Sequence, residues 1–506
     1  MTKLPNIVFI ITDQQRLDTI GALGAGHAET PNLDRLVRCG TSFEAMYVTA
    51  PSCAPSRASL FSGTWPHVNG VFRNNEPWTY SWVGLLAERG YRTVSIGKMH
   101  TVPLEGAFGY HERHAVENKD RDTATTPFFI DAHDKAFFAR GLPKPSRVGQ
   151  SAEPGFDGKL GAWTWQPPDA LHPDIFVGNL AAWWIDRYPG EEPFFLQVGF
   201  PGPHPPYDPT ARHLARLEGR AMPPAIPSDI EAQPRALREL QQSHLSSPHD
   251  GIRHLAQPTA EQIERQRRHY HANVSLIDEQ VGHILDALRD RGVLDDTVII
   301  FTSDHGDMLT DHGHSQKWTM YESAVRVPAI LSWPGHLPEG RRSDALVSLF
   351  DLGPTILELA GIRPPAWMQA RSLIPVARGE DAGRARVFAE HADDGLLRGT
   401  RMMTMLREGR YKLVHFVDDD FGQLFDLEAD PDERVNLWNE PAHEALRDRM
   451  VRAILEWRTT SPLESQGFTE ACCRAALQMA LPPPAQARGQ FRQGSRGRLR
   501  REGCGP

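Results

Sequence analysis

The sequence predicts an α/β fold: a large, mostly parallel sheet flanked by helices, followed by a small antiparallel sheet. Three observations lead there. Continuous β-branched and aromatic runs alternate with segments of helical periodicity, the pattern of parallel strands covered on both faces. Four of these runs empty directly into polar clusters, at positions 13, 98, 204 and 304. Later in the chain the runs shorten and are separated by tight turns such as Glu408-Gly409. With 506 residues, 40% of them apolar, the chain can build a large domain and a smaller one. We assign residues 1–370 to the first, 371–462 to the second, and 463–506 to a tail without fixed structure.

Residues 6–12 (NIVFIIT) form a central strand ending at Asp13-Gln14, and ligands of doubly wound sheets bind outside such carboxyl ends. Thr30-Pro31-Asn32 reads as an N-cap with proline opening a helix that Gly40 closes. Ser52-Cys53-Ala54-Pro55-Ser56-Arg57 starts another, with proline in its first turn and Gly63 at its end. Cys53 thus stands at a helix entrance, where free N–H groups and the helix dipole favour an anionic nucleophile or a bound oxyanion. Residues 82–89 form a helix ended by Gly90, and 91–96 form a strand running into Gly97-Lys98-Met99-His100.

From 101 to 173 periodicity fails, and this stretch reads as an irregular, substrate-shaping insertion. A helix at 174–188 and a strand at 193–200 follow, and the strand delivers Pro203-His204-Pro205-Pro206. Residues 207–258 form a second irregular excursion. The longest helix covers 261–291, with Ile263, Tyr270, Val274, Ile277, Val281, Ile284 and Leu288 on one face. The strand 297–302 (TVIIFT) delivers Asp304-His305-Gly306-Asp307. A helix at 354–360, short strands at 387–390, 402–406, 411–416 and 424–427, and a helix at 440–457 complete the pattern. The Gly/Arg-rich stretch from Pro482 has the composition of a disordered tail.

A formal net charge of −9 argues against a nucleic-acid surface. The five cysteines, at 39, 53, 472, 473 and 504, suit neither a disulfide framework nor a Cys-x-x-Cys metal site. The first apolar run is too short for a signal sequence, and none approaches the roughly 20 residues that span a bilayer. A cytoplasmic protein without membrane partners is expected. Asp13, Gln14, Asp304 and His305 are two polar pairs at the ends of two buried strands, a placement and an oxygen-rich donor set suited to a divalent cation.

The pentapeptide C-x-P-S-R at 53–57, followed by Leu60 and Ser62-Gly63, resembles the signature of the sulfatase family of the alkaline-phosphatase superfamily. The resemblance covers roughly residues 5–460. It implies that a maturation enzyme oxidises Cys53 to formylglycine, whose hydrate attacks sulfur and later expels sulfate by collapsing to the aldehyde. It implies a Ca²⁺ ion held by Asp13, Gln14, Asp304 and His305 together with residue 53. Gln14 and His305 depart from the arylsulfatase pattern and resemble the choline-sulfatase and phosphonate monoester hydrolase branches; an imidazole ligand makes Mn²⁺ the alternative ion. By the same resemblance Arg57 and Lys98 orient the hydrate. Lys317 and His204 hold the sulfate, one of them protonating the leaving alkoxide, and His100 takes the proton that releases sulfate. Asn74 is a candidate contact to a substrate oxygen; His111, His114, His312 and His314 receive no role. The expected reaction is hydrolysis of a small sulfate monoester. The rivals are a phosphonate monoester or phosphodiester hydrolase on the same fold, against which Lys98 and His100 speak, and a non-catalytic metal-binding paralogue. The alcohol (choline, aryl, sugar or steroid) and the oligomeric state stay open.

Overall fold

The computed structural model describes residues 3–117, 130–227 and 229–480. Its strands are β1 (Asn6–Asp13), β2 (Thr41–Phe43), β3 (Met46–Tyr47), β4 (Arg92–Gly97), β5 (Glu112–Ala115), β6 (Phe194–Pro203), β7 (Thr297–Ser303) and β8 (Arg326–Val327). Then come β9 (Ala329–Ser332), β10 (Arg341–Ser343), β11 (Val347–Ser348), β12 (Arg386–Ala392), β13 (Met402–Glu408), β14 (Tyr411–Phe416) and β15 (Gln423–Asp426).

Eight strands form one sheet in the order β10-β2-β9-β7-β1-β6-β4-β5. β1 lies between β6 and β7 and is parallel to both, with Ile7 opposite Phe195 and Val298. β4 continues in parallel beyond β6, and β9 runs antiparallel to β7. The four strands that end in polar clusters are therefore consecutive neighbours, all pointing the same way, and their carboxyl ends lie along one edge. β1 explains why its sequence is apolar throughout. Ile7, Phe9 and Ile11 pack into a layer with Phe61 and Trp82, while Val8 and Ile10 pack on the other face with Val177, Ile277 and Val281.

That second face is covered by the helices Pro173–Arg187 and Ala260–Asp290. The long helix begins in a capping box: Thr259 Oγ1 accepts from Gln262 N at 3.2 Å and the Gln262 side chain accepts from Thr259 N at 2.8 Å. β12 to β15 form the expected antiparallel sheet in chain order. Phe388, Leu406, Leu413 and Leu424 stand in register across it, and Met450, Ala453 and Ile454 of the helix Glu444–Glu464 cover them. Beneath this sheet Lys412 is buried between two carboxylates, 2.9 Å from Glu322 Oε1 and in contact with Glu433.

Three expectations change. The stretch 101–173 is not irregular throughout. β5 extends the sheet beside β4, and short helices follow at Ala132–Phe138, Arg147–Ser151 and Phe156–Lys159. β5 reads Glu-Arg-His-Ala because it is a half-buried edge strand, which needs no apolar run. The second excursion contains the helix Arg235–Ser246, which buries Ala236, Leu237, Leu240 and His244. The tail expected from 463 begins as helix: Phe468–Ala480 continues the fold, with Phe468 and Ala471 packed on Trp367. Residues 481–506, where the disordered tail is expected, lie outside the described residues.

Candidate active site

The helix carrying the nucleophile candidate, α2 (Cys53–Ser62), is buried along its whole length. Its first turn is capped from outside. Asn74 Oδ1 accepts from Ser52 Oγ and from Ala54 N, both at 3.1 Å, so the side chain expected to contact a substrate oxygen also holds this helix through its own oxygen. Gly63 closes α2 at φ 75°, with its N–H on the Ser59 carbonyl at 2.8 Å. The Cys53 side chain is thereby fixed under the ends of β1 and β7.

Cys53 Sγ lies 3.1 Å from Lys317 Nζ, 3.2 Å from His305 Nε2 and 3.7 Å from Asp13 Oδ1. One ligand atom from each of Asp13, Cys53, Asp304 and His305 falls within 4.8 Å of the others, and all four residues are buried. His305 Nδ1 lies 3.0 Å from the Gly306 carbonyl, a contact that in the neutral ring places the proton on Nδ1 and turns the Nε2 lone pair toward this cluster. Two carboxylates, an imidazole nitrogen and the residue 53 atom fit a divalent cation, which would also relieve the repulsion between Asp13 and Asp304.

The surrounding cations are placed by the strand ends. Arg57, wholly buried, donates from Nε to Asp304 Oδ2 at 2.7 Å, from Nη1 to the Lys98 carbonyl at 3.0 Å and from Nη2 to the Thr12 carbonyl at 3.4 Å. It ties together β1, β4 and β7. Lys98 pairs with Asp13 Oδ2. Its turn out of β4 depends on a close approach of two glycines: Lys98 N donates to the Gly199 carbonyl at 2.7 Å, and a Cβ on Gly97 (φ 97°) would sit 2.0 Å from that same oxygen. Lys317 donates to Gln14 Oε1 at 3.0 Å as well as to Cys53. His204 donates its backbone N–H to the Asp13 carbonyl at 3.0 Å; its ring sets Nδ1 on the Pro205 carbonyl at 2.8 Å and Nε2 3.4 Å from Asp250 Oδ2.

These charges shift one another. Burial and Asp13 push the Cys53 thiol up, but Lys317, His305 and Lys98 outweigh them and hold it well below its ordinary value. Burial likewise raises Asp13, and Lys98, His204, Lys317 and Arg57 bring it far down. Burial lowers Lys317, yet Cys53 and Asp13 raise it above the usual lysine value. Burial and Lys317 leave His204 below an ordinary histidine despite Asp13 and Asp250.

Asp13, Gln14, Cys53, Arg57, Lys98, Asp304, His305 and Lys317 thus share one network, with His204 at its border. His100 is attached differently: its backbone N–H donates to Glu117 Oε2 at 2.8 Å, and its Nδ1 has no hydrogen-bond partner among the described residues. His312 stacks on Tyr321 and His314 sits 2.7 Å from Gln233 Oε1. Sequence reasoning missed Asp307, which accepts from Gln14 and Tyr207, although it closes the same Asp-His-Gly-Asp run. It also missed Asp250 and Arg147, paired at 2.5 Å beside His204. These lie one in each irregular excursion, where the sequence carries no signal.

The family model named Sulfatase matches residues 5–362, and a second, described as N-sulphoglucosamine sulphohydrolase, C-terminal, matches 310–460. A choline-sulfatase of Rhizobium meliloti is 31% identical over 464 residues, covering 87% of this chain and 83% of its own. An arylsulfatase of Clostridium perfringens is 29% identical over 470 residues, covering 89% and 94%. The solved phosphonate monoester hydrolase SpPMH from Silicibacter pomeroyi superposes with a TM-score of 0.74 at 25% identity, covering 90% of this chain and 96% of that one.

Proposed function

The chain belongs to the sulfatase family, hydrolases of sulfuric esters, and from that premise we propose that it hydrolyses a small sulfate monoester to an alcohol and inorganic sulfate through a formylglycine at position 53 and a divalent cation. The observation that carries this reading is the position of Cys53: at the entrance of α2, 3.1 Å from Lys317 and inside the Asp13–Asp304–His305 cluster.

Oxidised by a maturation enzyme, residue 53 would supply a hydrated aldehyde oxygen as nucleophile and a leaving route for sulfate that needs no second attack at sulfur. Asp13, Asp304, His305 and Gln14 would hold the cation, Ca²⁺ or, with its imidazole ligand, Mn²⁺, which supplies positive charge to the anionic ester. Lys317, touching both residue 53 and Gln14, is the cation placed to bind a sulfate oxygen. His204, with Nδ1 on a carbonyl and Nε2 3.4 Å from Asp250 Oδ2, holds the sulfate with Lys317, and one of the two gives a proton to the leaving alkoxide. Arg57 acts on Asp304 and the strand ends, and Lys98 acts on Asp13; both orient the residues that meet the ester. His100 is proposed as the base for sulfate release. Among the described residues no helix is long and apolar enough to cross a membrane. The thiols of Cys39, Cys53, Cys472 and Cys473 form no disulfide, which fits the proposed cytoplasmic placement.

The likeness to SpPMH favours one second reading, a phosphonate monoester or phosphodiester hydrolase. The test is the ratio of kcat/KM for an aryl sulfate and the matching phenyl phosphonate, with peptide mass spectrometry over residues 50–57 showing sulfur lost and oxygen gained. A ratio favouring sulfate is expected. Lys98→Ala should raise the barrier for sulfate by roughly 1.5–3 kcal/mol, the worth of a hydrogen bond to a charged group. His100→Ala should give a burst followed by slow release. A wild-type ratio favouring the phosphonate, or mutants that lose both activities equally, would move the chain to the second reading.

A further inference from the structure

Gln14 is the only proposed cation ligand whose side chain has two chemically different ends, an oxygen that can face a cation and an NH₂ that cannot. Its backbone is turned to φ 74° and held there: its N–H donates to Asp304 Oδ1 at 3.0 Å, and its carbonyl accepts from Tyr270 OH at 2.7 Å. That leaves rotation of the amide as the remaining choice. One end meets Lys317 Nζ at 3.0 Å, and the other meets Asp307 Oδ2 at 2.7 Å. An ammonium can only donate and an ionised carboxylate can only accept, so the oxygen must face Lys317 and the NH₂ must face Asp307.

Asp307 is itself fixed. It is wholly buried; Oδ1 accepts from Leu309 N at 3.0 Å and Oδ2 from Tyr207 OH at 2.6 Å, while Arg16 Nη1 holds its backbone carbonyl at 2.9 Å. Resting on the cation site proposed above, we propose that Asp307 is a positioning residue: its carboxylate, pinned by Leu309 N–H and Tyr207, turns the Gln14 amide so that oxygen and not nitrogen is presented to the divalent cation.

Replacing Asp307 by asparagine tests this with almost no change of shape. Leu309 N–H keeps the asparagine oxygen on its own side, so the new NH₂ faces Gln14 and invites the amide to flip. Asp307→Ala removes the acceptor without adding a donor, and Lys317 alone still favours the oxygen-inward orientation. Gln14→Glu in the Asp307→Asn background supplies an acceptor at one end and an oxygen at the other. The measurement is titration calorimetry of chelator-stripped full-length protein with Ca²⁺ and, separately, Mn²⁺, position 53 being verified in one chemical state by mass.

Asp307→Asn is expected to weaken binding about 10–100-fold, as loss of an orienting partner typically does. Asp307→Ala should weaken it less, and Asp307→Asn with Gln14→Glu should return to within about threefold of wild type, the pair being coupled. A merely structural aspartate predicts the reverse order, the cavity-forming alanine being worse than the isosteric asparagine, and no rescue. Wild-type affinity in Asp307→Asn, that reversed order, absence of rescue, or failure of Asp307→Asn to fold would each overturn the proposal. Wild-type protein that takes up neither ion would instead remove the cation site on which it rests.

Discussion

Under the C-terminal sheet, Lys412 sits between Glu322 and Glu433 with no side-chain exposure, each carboxylate laid directly on the one ammonium. At the strand ends, Asp13, Asp304, Cys53 and His305 are equally buried, yet their donor atoms converge on one another and the cations stand around them. The first network is closed by its own members. The second has direct pairs too, Lys98 on Asp13 and Arg57 on Asp304, but it also turns donor atoms of Asp13, Asp304, Cys53 and His305 toward one another, an arrangement suited to a bound cation. Burial and charge are shared by both networks, so neither separates a structural cluster from a catalytic one. The direction in which the donors point does.

The comparison is broken most sharply by removing one member of each network. Cys53→Ala should lower turnover of the matured enzyme by about 10⁴-fold or more while the thermal midpoint stays or rises, because a catalytic group and a crowded charge go together. Lys412→Met should do the opposite: about 3–5 kcal/mol of stability lost in denaturant unfolding, since the ammonium that joins Glu322 to Glu433 is removed from a buried site, with kcat per folded molecule kept. If both variants lost activity and stability in parallel, the distinction would not hold.

A smaller effect sharpens it. Burial and Glu322 hold the Glu433 carboxyl up at about 7 against the pull of Lys412, from an ordinary value of 4.5. The folded protein then binds a proton that the unfolded chain has released. The stabilisation from Glu433 is complete below pH 4.5 and is lost as pH rises through about 7. Glu322, held low mainly by Lys412 against burial, acts with the opposite sign, and its contribution disappears on acidification below its ordinary value of 4.5. Glu433→Gln should flatten the fall in unfolding free energy between pH 5 and 7.5 and leave the acid limb; an unchanged slope would assign it to other groups.

The strand-end network was legible in the sequence because its parts are local: an apolar run fixes a strand, and the residues after it are fixed to its end. The places of Asp13, Lys98, His204 and Asp304 needed no more than that, and the helix entrance at Cys53 needed only Pro55 in the first turn of α2 and Gly63 at its end; their chemical roles rest on the resemblance to the sulfatase family. The residues that escaped are those whose places depend on distant partners. Asn74, named only as a substrate contact, caps α2 through Ala54, 20 residues earlier in the chain, Asp250 and Arg147 meet across two patternless segments, and the helix Phe468–Ala480 packs Phe468 and Ala471 on Trp367. The edge strand β5 carries four half-buried residues and no apolar run at all.

Cys53 is 1% exposed, and two of the groups that enclose it, His305 and Lys317, are 252 and 264 positions further along the chain. On the proposed chemistry, an enzyme that oxidises this thiol would reach it more readily before β7 and the Lys317 segment are in place. Growing at roughly 5–20 residues per second, a nascent chain needs on the order of ten seconds to a minute to extend from Cys53 to Lys317. For that interval the cysteine is present while its enclosure has not yet been made. On that proposal the order of residues along the chain would act as a clock, making the chemistry at position 53 a matter of timing during synthesis as much as of geometry in the finished fold.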